Sequence, residues 1–294
     1  MKKLADSFKR IGLIGNVEKA ACADAVRTAA AAIRRAGREV CSDAVTAQLA
    51  GLRCQIKPNT AALARSVDLL LVFGGDGTML HAASQSAGSN TPILGVNIGG
   101  LGFLTAIPSA DLIAGLKLVW RGEFRYEKRA LIEAEGTGHG HAIRTTALND
   151  IVINRGPVSR LIALDVTVND MLVTRYRCDG LIISSPTGST AYSLAAGGAI
   201  VMPSADVFAL TPICPHALSN RSIIMPLSAT IRVKAVSSAA ETVVNADGQM
   251  VGELSADDEI VVRRSRHSVR IVHLAGSTFF EALSRKLHWR GTYL

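Results

Sequence analysis

The stretch LLLVFGGDGTMLHAAS, residues 69–84, puts an acid inside a glycine turn at the end of an apolar run. Glycine turns that follow strands cradle phosphate, and the P-loop version adds a lysine through GxxxxGK[ST]. That pattern is absent from this sequence. Gly74, Gly75 and Gly77 would let the backbone take positive φ and approach a ligand with no Cβ in the way. Backbone N–H groups of the turn, with Thr78 opening a helix, would face phosphate oxygens. Asp76 cannot bind phosphate itself. It can coordinate a metal, or accept a hydrogen bond from a hydroxyl that attacks the phosphate, as a general base or orienting group for phosphoryl transfer. The plainer alternative is an Asx residue bonding its own turn.

Two further stretches carry polar groups suited to a nucleotide. In CDGLIISSPTGSTAYSLAAGGAI, residues 178–200, Ser184, Ser185, Thr187, Ser189 and Thr190 crowd around Pro186 and Gly188, and Tyr192 follows. Such a loop can hydrogen-bond a sugar and a base edge while the tyrosine packs on a planar ring, or it can simply close a turn between strands. In ALNDIVINRG, Asn149 and Asp150 suit an adenine edge and a ribose diol, or mark the turn before a strand. His139 and His141 have HxH spacing but no acid close in sequence, so they read as turn residues rather than a metal site. RRSRHSVR, residues 263–270, alternates in the manner of a solvated strand face.

These groups need elements to hold them. Up to residue 125, short apolar runs alternate with helix-length segments, the pattern of a parallel sheet with crossover helices. Strands are expected at 11–16, from 39, at 67–73 and at 92–96, with helices over 17–36 (Gly37 as its C-terminal cap), over 78–87, and from a Ser109 cap to about 120. From 126 to about 275 the texture changes to β-branched, alternating segments, with Asn169-Asp170 as a hairpin turn. The expected architecture is an α/β N-terminal domain (1–125), a β-rich, sandwich-like C-terminal domain (126–275) and a helical tail (276–294) that packs back on the first.

Composition narrows the function classes. The 294 residues carry a formal charge of +8, which favours a polyanionic partner such as a nucleotide. Aromatics are only 4% and the basic residues are scattered, which argues against a nucleic-acid platform. The five cysteines form no CxxC pair, pointing to a reducing cytosol rather than disulfides or zinc. The start has a basic flank but too short an apolar piece for a signal peptide, and no run reaches the ~20 apolar residues of a membrane span. A soluble cytoplasmic protein with no membrane partner is expected.

GGDGT, the Asn-Asp of ALNDIVINRG and DGLIISSPTGSTAYSLAAGG together resemble the signatures of NAD kinases, as do NIGGLGFLT (97–105) and the later NADGQ. GGDGT alone is shared with lipid and phosphofructokinase-type kinases; the TGSTAYS block is specific. The resemblance covers most of the chain. It implies phosphorylation of the 2′-hydroxyl of the adenosine ribose of NAD, with ATP and a divalent cation, Mg2+, to give NADP. It also implies a cleft site between the two domains and a homo-oligomer, a tetramer or a dimer. On matching positions, Asp76 is the catalytic acid/base and Gly77 lies against the dinucleotide. Asn149 and Asp150 bind the adenosine part, and Thr190, Ala191, Tyr192 and Ser193 line the same pocket. Asp179 reaches the nicotinamide side, often from a neighbouring subunit, and a basic residue at Arg177 goes with preference for NAD over NADH. His81, Arg160 and Gln249 are further carry-overs. Asn149-Asp150 stands where many members have Asn-Glu, and SSPTGST replaces STPTGST; both keep the chemical group. Ala195 and Ala196 replace residues that often carry a hydroxyl. The rival readings are a lipid kinase, which needs a membrane-facing element not evident here, and a non-catalytic dinucleotide sensor.

Overall fold

The computed structural model describes residues 7–100, 102–157, 160–217, 219–236, 242–275 and 278–289. The chain divides into two compact units, Met1–Lys128 with Ser268–Leu294, and Arg129–His267. The first begins with β1 (Arg10–Gly15), α1 (Ala20–Arg35), β2 (Glu39–Asp43), α2 (Ala44–Ala50), β3 (Gln55–Lys57) and α3 (Thr60–Ser66). It continues with β4 (Leu69–Gly74), α4 (Asp76–Gln85), β5 (Ile93–Asn97), β6 (Ile107–Pro108) and α5 (Leu112–Arg121). The strands pair in parallel in the order β5-β4-β1-β2-β3. Every residue of β4 is buried, which is why the run reads as continuously apolar. The core joins Leu69, Leu71 and Phe73 to Val26 and Ile33 of α1 and Leu116 of α5.

The strand order reverses between β1 and β4. In open α/β sheets, ligands bind at the carboxyl ends of the strands beside such a reversal. Gly15 pairs with Phe73 there, and Asn16 N–H donates to the Phe73 carbonyl at 2.9 Å. The GGDGT turn therefore opens at the point the topology reserves for a ligand.

The second unit takes up β7 (Phe124–Gly138), which starts in the first, and adds β8 (His141–Ala147), β9 (Asp150–Arg155), β10 (Ile162–Val168), β11 (Met171–Cys178) and β12 (Gly180–Ser184). There follow α6 (Tyr192–Ala195), β13 (Val207–Ile213), β14 (Ile223–Pro226), β15 (Ile231–Ala235), β16 (Thr242–Ala246), β17 (Gln249–Leu254) and β18 (Glu259–Leu274). One antiparallel sheet runs β14-β13-β12-β9-β16-β17 and another β11-β10-β15-β18. Alternate residues, such as Leu164 and Val166 on one and Ile183 and Leu210 on the other, share one core, so this unit is a sandwich. β18 ends in the first unit, where Ile271 pairs with Ile93, and α7 (Phe279–Lys286) follows.

Several local expectations shift. The helix after the glycine turn begins at Asp76, not Thr78, with Gly75 as N-cap. The first helix starts at Ala20, and Gly37 takes φ +70 just past its end. Ser109 opens a short 3-10 turn, Ser109–Asp111, rather than capping α5. The short helices α2 and α3 were not anticipated, although Asp43 and Asn59 cap them by accepting the N–H of Thr46 and Ala62. Asn169 and Asp170 have φ of 49 and 64, the two positive values a tight I′ hairpin requires.

Candidate active site

At the turn, Gly74, Gly75 and Gly77 do not adopt positive φ, against expectation. Their value is missing bulk instead. A Cβ on Gly74 would collide with the Thr78 side chain, and Gly77 presents an open face with nothing within 4 Å. The left-handed backbone lies in the second glycine cluster, at Gly99, φ +126. Asp76 is the first helical residue, half-buried, where unpaired N–H groups and the helix dipole favour negative charge. It does not bond its own turn. Oδ2 accepts the N–H of Phe103 at 2.9 Å and Oδ1 that of Leu104 at 3.0 Å. Phe103 and Leu104 thus aim the carboxylate, and Gly102 makes room for it, since a Cβ there would strike Oδ1.

Two lysines that sequence reasoning missed lie near this turn. Lys286 of α7 places Nζ 3.6 Å from Asp76 Oδ2. Lys19, ahead of α1, donates to the Ile98 carbonyl at 2.6 Å. No spacing rule links these positions to residue 76.

In the second unit, the hydroxyl-rich loop mostly bonds itself. Ser184, Ser185 and Ser189 are fully buried. Ser185 Oγ donates to the Leu148 carbonyl at 2.5 Å and accepts the N–H of Thr187 at 3.1 Å. Ser189 Oγ accepts the N–H of Val201 at 3.0 Å. Buried Thr187 accepts from Arg129 at 3.2 Å, and buried Ser193 shares a hydrogen bond with Thr211 at 3.0 Å. Thr190 and Ala191 are half-buried and Tyr192 is 47% exposed, so these are the loop's outward groups.

Asn149 and Asp150 lie against this loop. The Ser185 N–H donates to the Asn149 carbonyl at 2.8 Å, and Gly188 approaches so closely that a Cβ would meet that carbonyl. Asp247, in the NADGQ turn, was missed although the motif containing it was noticed. Its carboxylate accepts the N–H groups of Leu148, Asn149 and Asp150 at 2.8, 2.7 and 3.2 Å. Burial first, and then the Asp247 charge, push the Asp150 carboxyl up to about 7. Burial also raises Asp247, against the three N–H donors that lower it.

The remaining candidates spread out. His81 is exposed on α4, Arg160 precedes β10 and is exposed, and Arg177 is exposed on β11. Asp179 pairs with Arg155 Nε at 2.8 Å, and Gln249 is exposed at the start of β17. His139 sits at φ 47 in the β7–β8 turn, and burial pushes the Cys178 thiol up to about 12, unsuited to a nucleophile.

Comparison with known proteins agrees with both halves of this picture. Residues 12–124 match the ATP-NAD kinase N-terminal domain and residues 148–274 the ATP-NAD kinase C-terminal domain. An NAD kinase from Syntrophotalea carbinolica is 39% identical over 283 residues, covering 96% of this chain and 99% of that protein. One from Methylibium petroleiphilum is 38% identical over 291 residues, covering 97% and 96%. The crystal structure of yeast NADH kinase complexed with NADH superposes with a TM-score of 0.88 at 26% identity, covering 98% of this chain and 89% of that one. An Archaeoglobus fulgidus NAD kinase in complex with ATP shares the fold, with a TM-score of 0.73 at 24% identity, over 96% and 100%. With relatives this similar over nearly their whole length, and the glycine-turn acid and the hydroxyl loop each in the matching domain, the chain belongs to the NAD kinase family.

Proposed function

We propose that this protein transfers the γ-phosphoryl group of ATP to the 2′-hydroxyl of the adenosine ribose of NAD, giving NADP. The observation that carries the reading is Asp76, an acid held by two backbone N–H groups at a helix start beside the strand-order reversal. In this role its carboxylate accepts the proton of the attacking hydroxyl. The glycine-turn amides meet the phosphates, a preorganised arrangement that needs little rearrangement as charge develops.

The phosphoryl donor would be MgATP. Among the described residues no three His, Cys, Asp or Glu side chains group as a metal cage. The divalent cation would arrive bound with ATP, leaving the Asp76 carboxylate for the attacking hydroxyl. The cation would supply neutralisation of the triphosphate charge. Asn149, Asp150 and the outward groups Thr190, Ala191 and Tyr192 are read as the adenosine side, with Ser193 beneath them. Asp179 and Gln249 are assigned to the rest of the dinucleotide, Arg177 to preference for NAD over NADH, and His81 and Arg160 to further contacts. A homo-oligomer, dimer or tetramer, is supported by Met171 and Leu172, each 69% exposed on the β10–β11 hairpin. Free cysteines support a reducing, cytoplasmic location, and no described helix is long and apolar enough to cross a membrane.

The test is NADP formation from NAD and MgATP by the wild type and by Asp76→Asn. The expected result is NADP from the wild type and a loss of ~100-fold or more in the variant. A fully active variant removes Asp76 from the chemistry. No NADP from folded wild type overturns the reaction.

A further inference from the structure

Resting on the kinase reading above, we infer that Lys286 of the C-terminal helix binds the γ-phosphate of ATP, and that in the free protein it is held in place by the carboxylate it later releases. Lys286 Nζ stands 3.6 Å from Asp76 Oδ2, with both side chains 30% exposed. The same ammonium lies over the Phe103 ring, 4.7 Å from its centroid, and Phe103 donates its N–H to that carboxylate oxygen. Cation, ring and acid form one cluster at the mouth of the glycine turn.

The ion pair is not what secures the helix. A partly exposed lysine–carboxylate pair contributes little to stability. α7 is held independently, by the capping box of Thr278 and Glu281, by Phe279 against Phe103 with ring centroids 6.5 Å apart, and by buried Leu283. What the helix does for Lys286 is deliver a compact point charge on a flexible stem, the form in which lysine serves phosphate. The turn itself carries no basic side chain, so positive charge for the triphosphate beyond the divalent cation must come from elsewhere in the fold. Lys19 also stands near the turn, bonded to the neutral Ile98 carbonyl and 3.7 Å from where a Cβ on Gly75 would lie. Two ammonium groups therefore lie close to the turn.

Charge then sets the order of events. With no donor bound, the single negative charge of Asp76 holds Lys286. A triphosphate brings several negative oxygens and draws the ammonium away. Oδ2 keeps only the Phe103 N–H and becomes available to the 2′-hydroxyl. The base is exposed when, and only when, the phosphoryl donor is in place.

Equilibrium binding of Mg-AMP-PNP and of NAD to the full chain tests this, with Lys286→Met and Lys286→Arg beside the wild type. The expected result is AMP-PNP affinity lowered about tenfold or more in K286M, recovered in large part in K286R, with NAD affinity and melting temperature unchanged. Unaltered AMP-PNP binding by K286M overturns the inference. So does equal weakening for AMP-PNP and NAD with a lower melting temperature, the mark of a structural staple. Should K286M not fold, the wild type decides. AMP-PNP, but not NAD, is expected to protect Lys286 from acetylation by sulfosuccinimidyl acetate, read by peptide mass spectrometry, and equal labelling overturns the inference. NADP formation by the wild type, measured alongside, judges the kinase reading separately.

Discussion

Asp150, proposed to bind the adenosine ribose, costs the fold stability. The residue is only 5% exposed, and burial with the neighbouring Asp247 raises its carboxyl from 3.8 to about 7. A folded-state value raised above the unfolded one means that stability is fully present below about pH 4 and is lost as pH rises through about 7. At ~1.4 kcal/mol per unit, a rise of about 3 units sets a burden on the order of 4 kcal/mol at pH 8. Asp150→Asn is therefore expected to raise the melting temperature at pH 8 and to leave it nearly unchanged at pH 4. The same substitution should weaken NAD binding at pH 8, because a neutral amide replaces the carboxylate assigned to the ribose diol. Thermal melts at the two pH values, with the KM for NAD, check both. Asp76→Asn makes the complementary case: little change in stability is expected, with the loss falling on turnover.

The element on which the proposed role of Asp76 depends is the segment after β5. It includes Gly99, in left-handed backbone that glycine adopts readily, and Phe103 and Leu104, which donate both hydrogen bonds that aim Asp76. Its tolerance is small, since a methyl group on Gly102 would occupy the space of Asp76 Oδ1. Gly102→Ala must therefore move the carboxylate or the loop. A displacement of about 1 Å at a reacting group can cost ~100-fold, so kcat is expected to fall by ~10–100-fold with a melting temperature near that of the wild type. Steady-state kinetics beside a thermal melt measure this, and an unchanged kcat would remove the loop from the positioning of Asp76. The hydroxyl loop of the second unit follows the same logic. Ser185 and Ser189 hold the loop's shape and leave Thr190, Ala191 and Tyr192, the groups proposed to meet the ligand, turned outward.

For the molecule as a whole, net charge and exposed apolar surface bear on its partners. A formal charge of +8 suits anionic substrates such as ATP and NAD. The β10–β11 hairpin leaves Met171 and Leu172 at 69% exposure each and Val173 at 40%. Contiguous exposed apolar side chains of this kind mark association surfaces. Met171→Asp combined with Leu172→Asp is expected to shift the sedimentation coefficient to that of a smaller species, with the fold retained by circular dichroism. An unchanged coefficient would overturn the proposed association through this hairpin.

The amino-acid sequence determined what local rules can reach. A wholly apolar run ending in GGDGT reads as a covered strand feeding a glycine turn, and Asn169-Asp170 as a tight hairpin, because both signals are carried by neighbouring residues. The family was legible for the same reason, its motifs being contiguous words such as TGSTAYS. Tertiary structure alone decided what depends on distant segments meeting. It set the glycines of the turn in ordinary backbone and gave the left-handed φ to Gly99. It turned the serines inward and put Asp247 beneath Asn149 and Asp150. It also brought Lys286 from the far end of the chain to Asp76. Periodicity reports which face of an element is apolar. Which charge ends beside which is set by sheet order and by the docking of the last helix, and no local spacing encodes it.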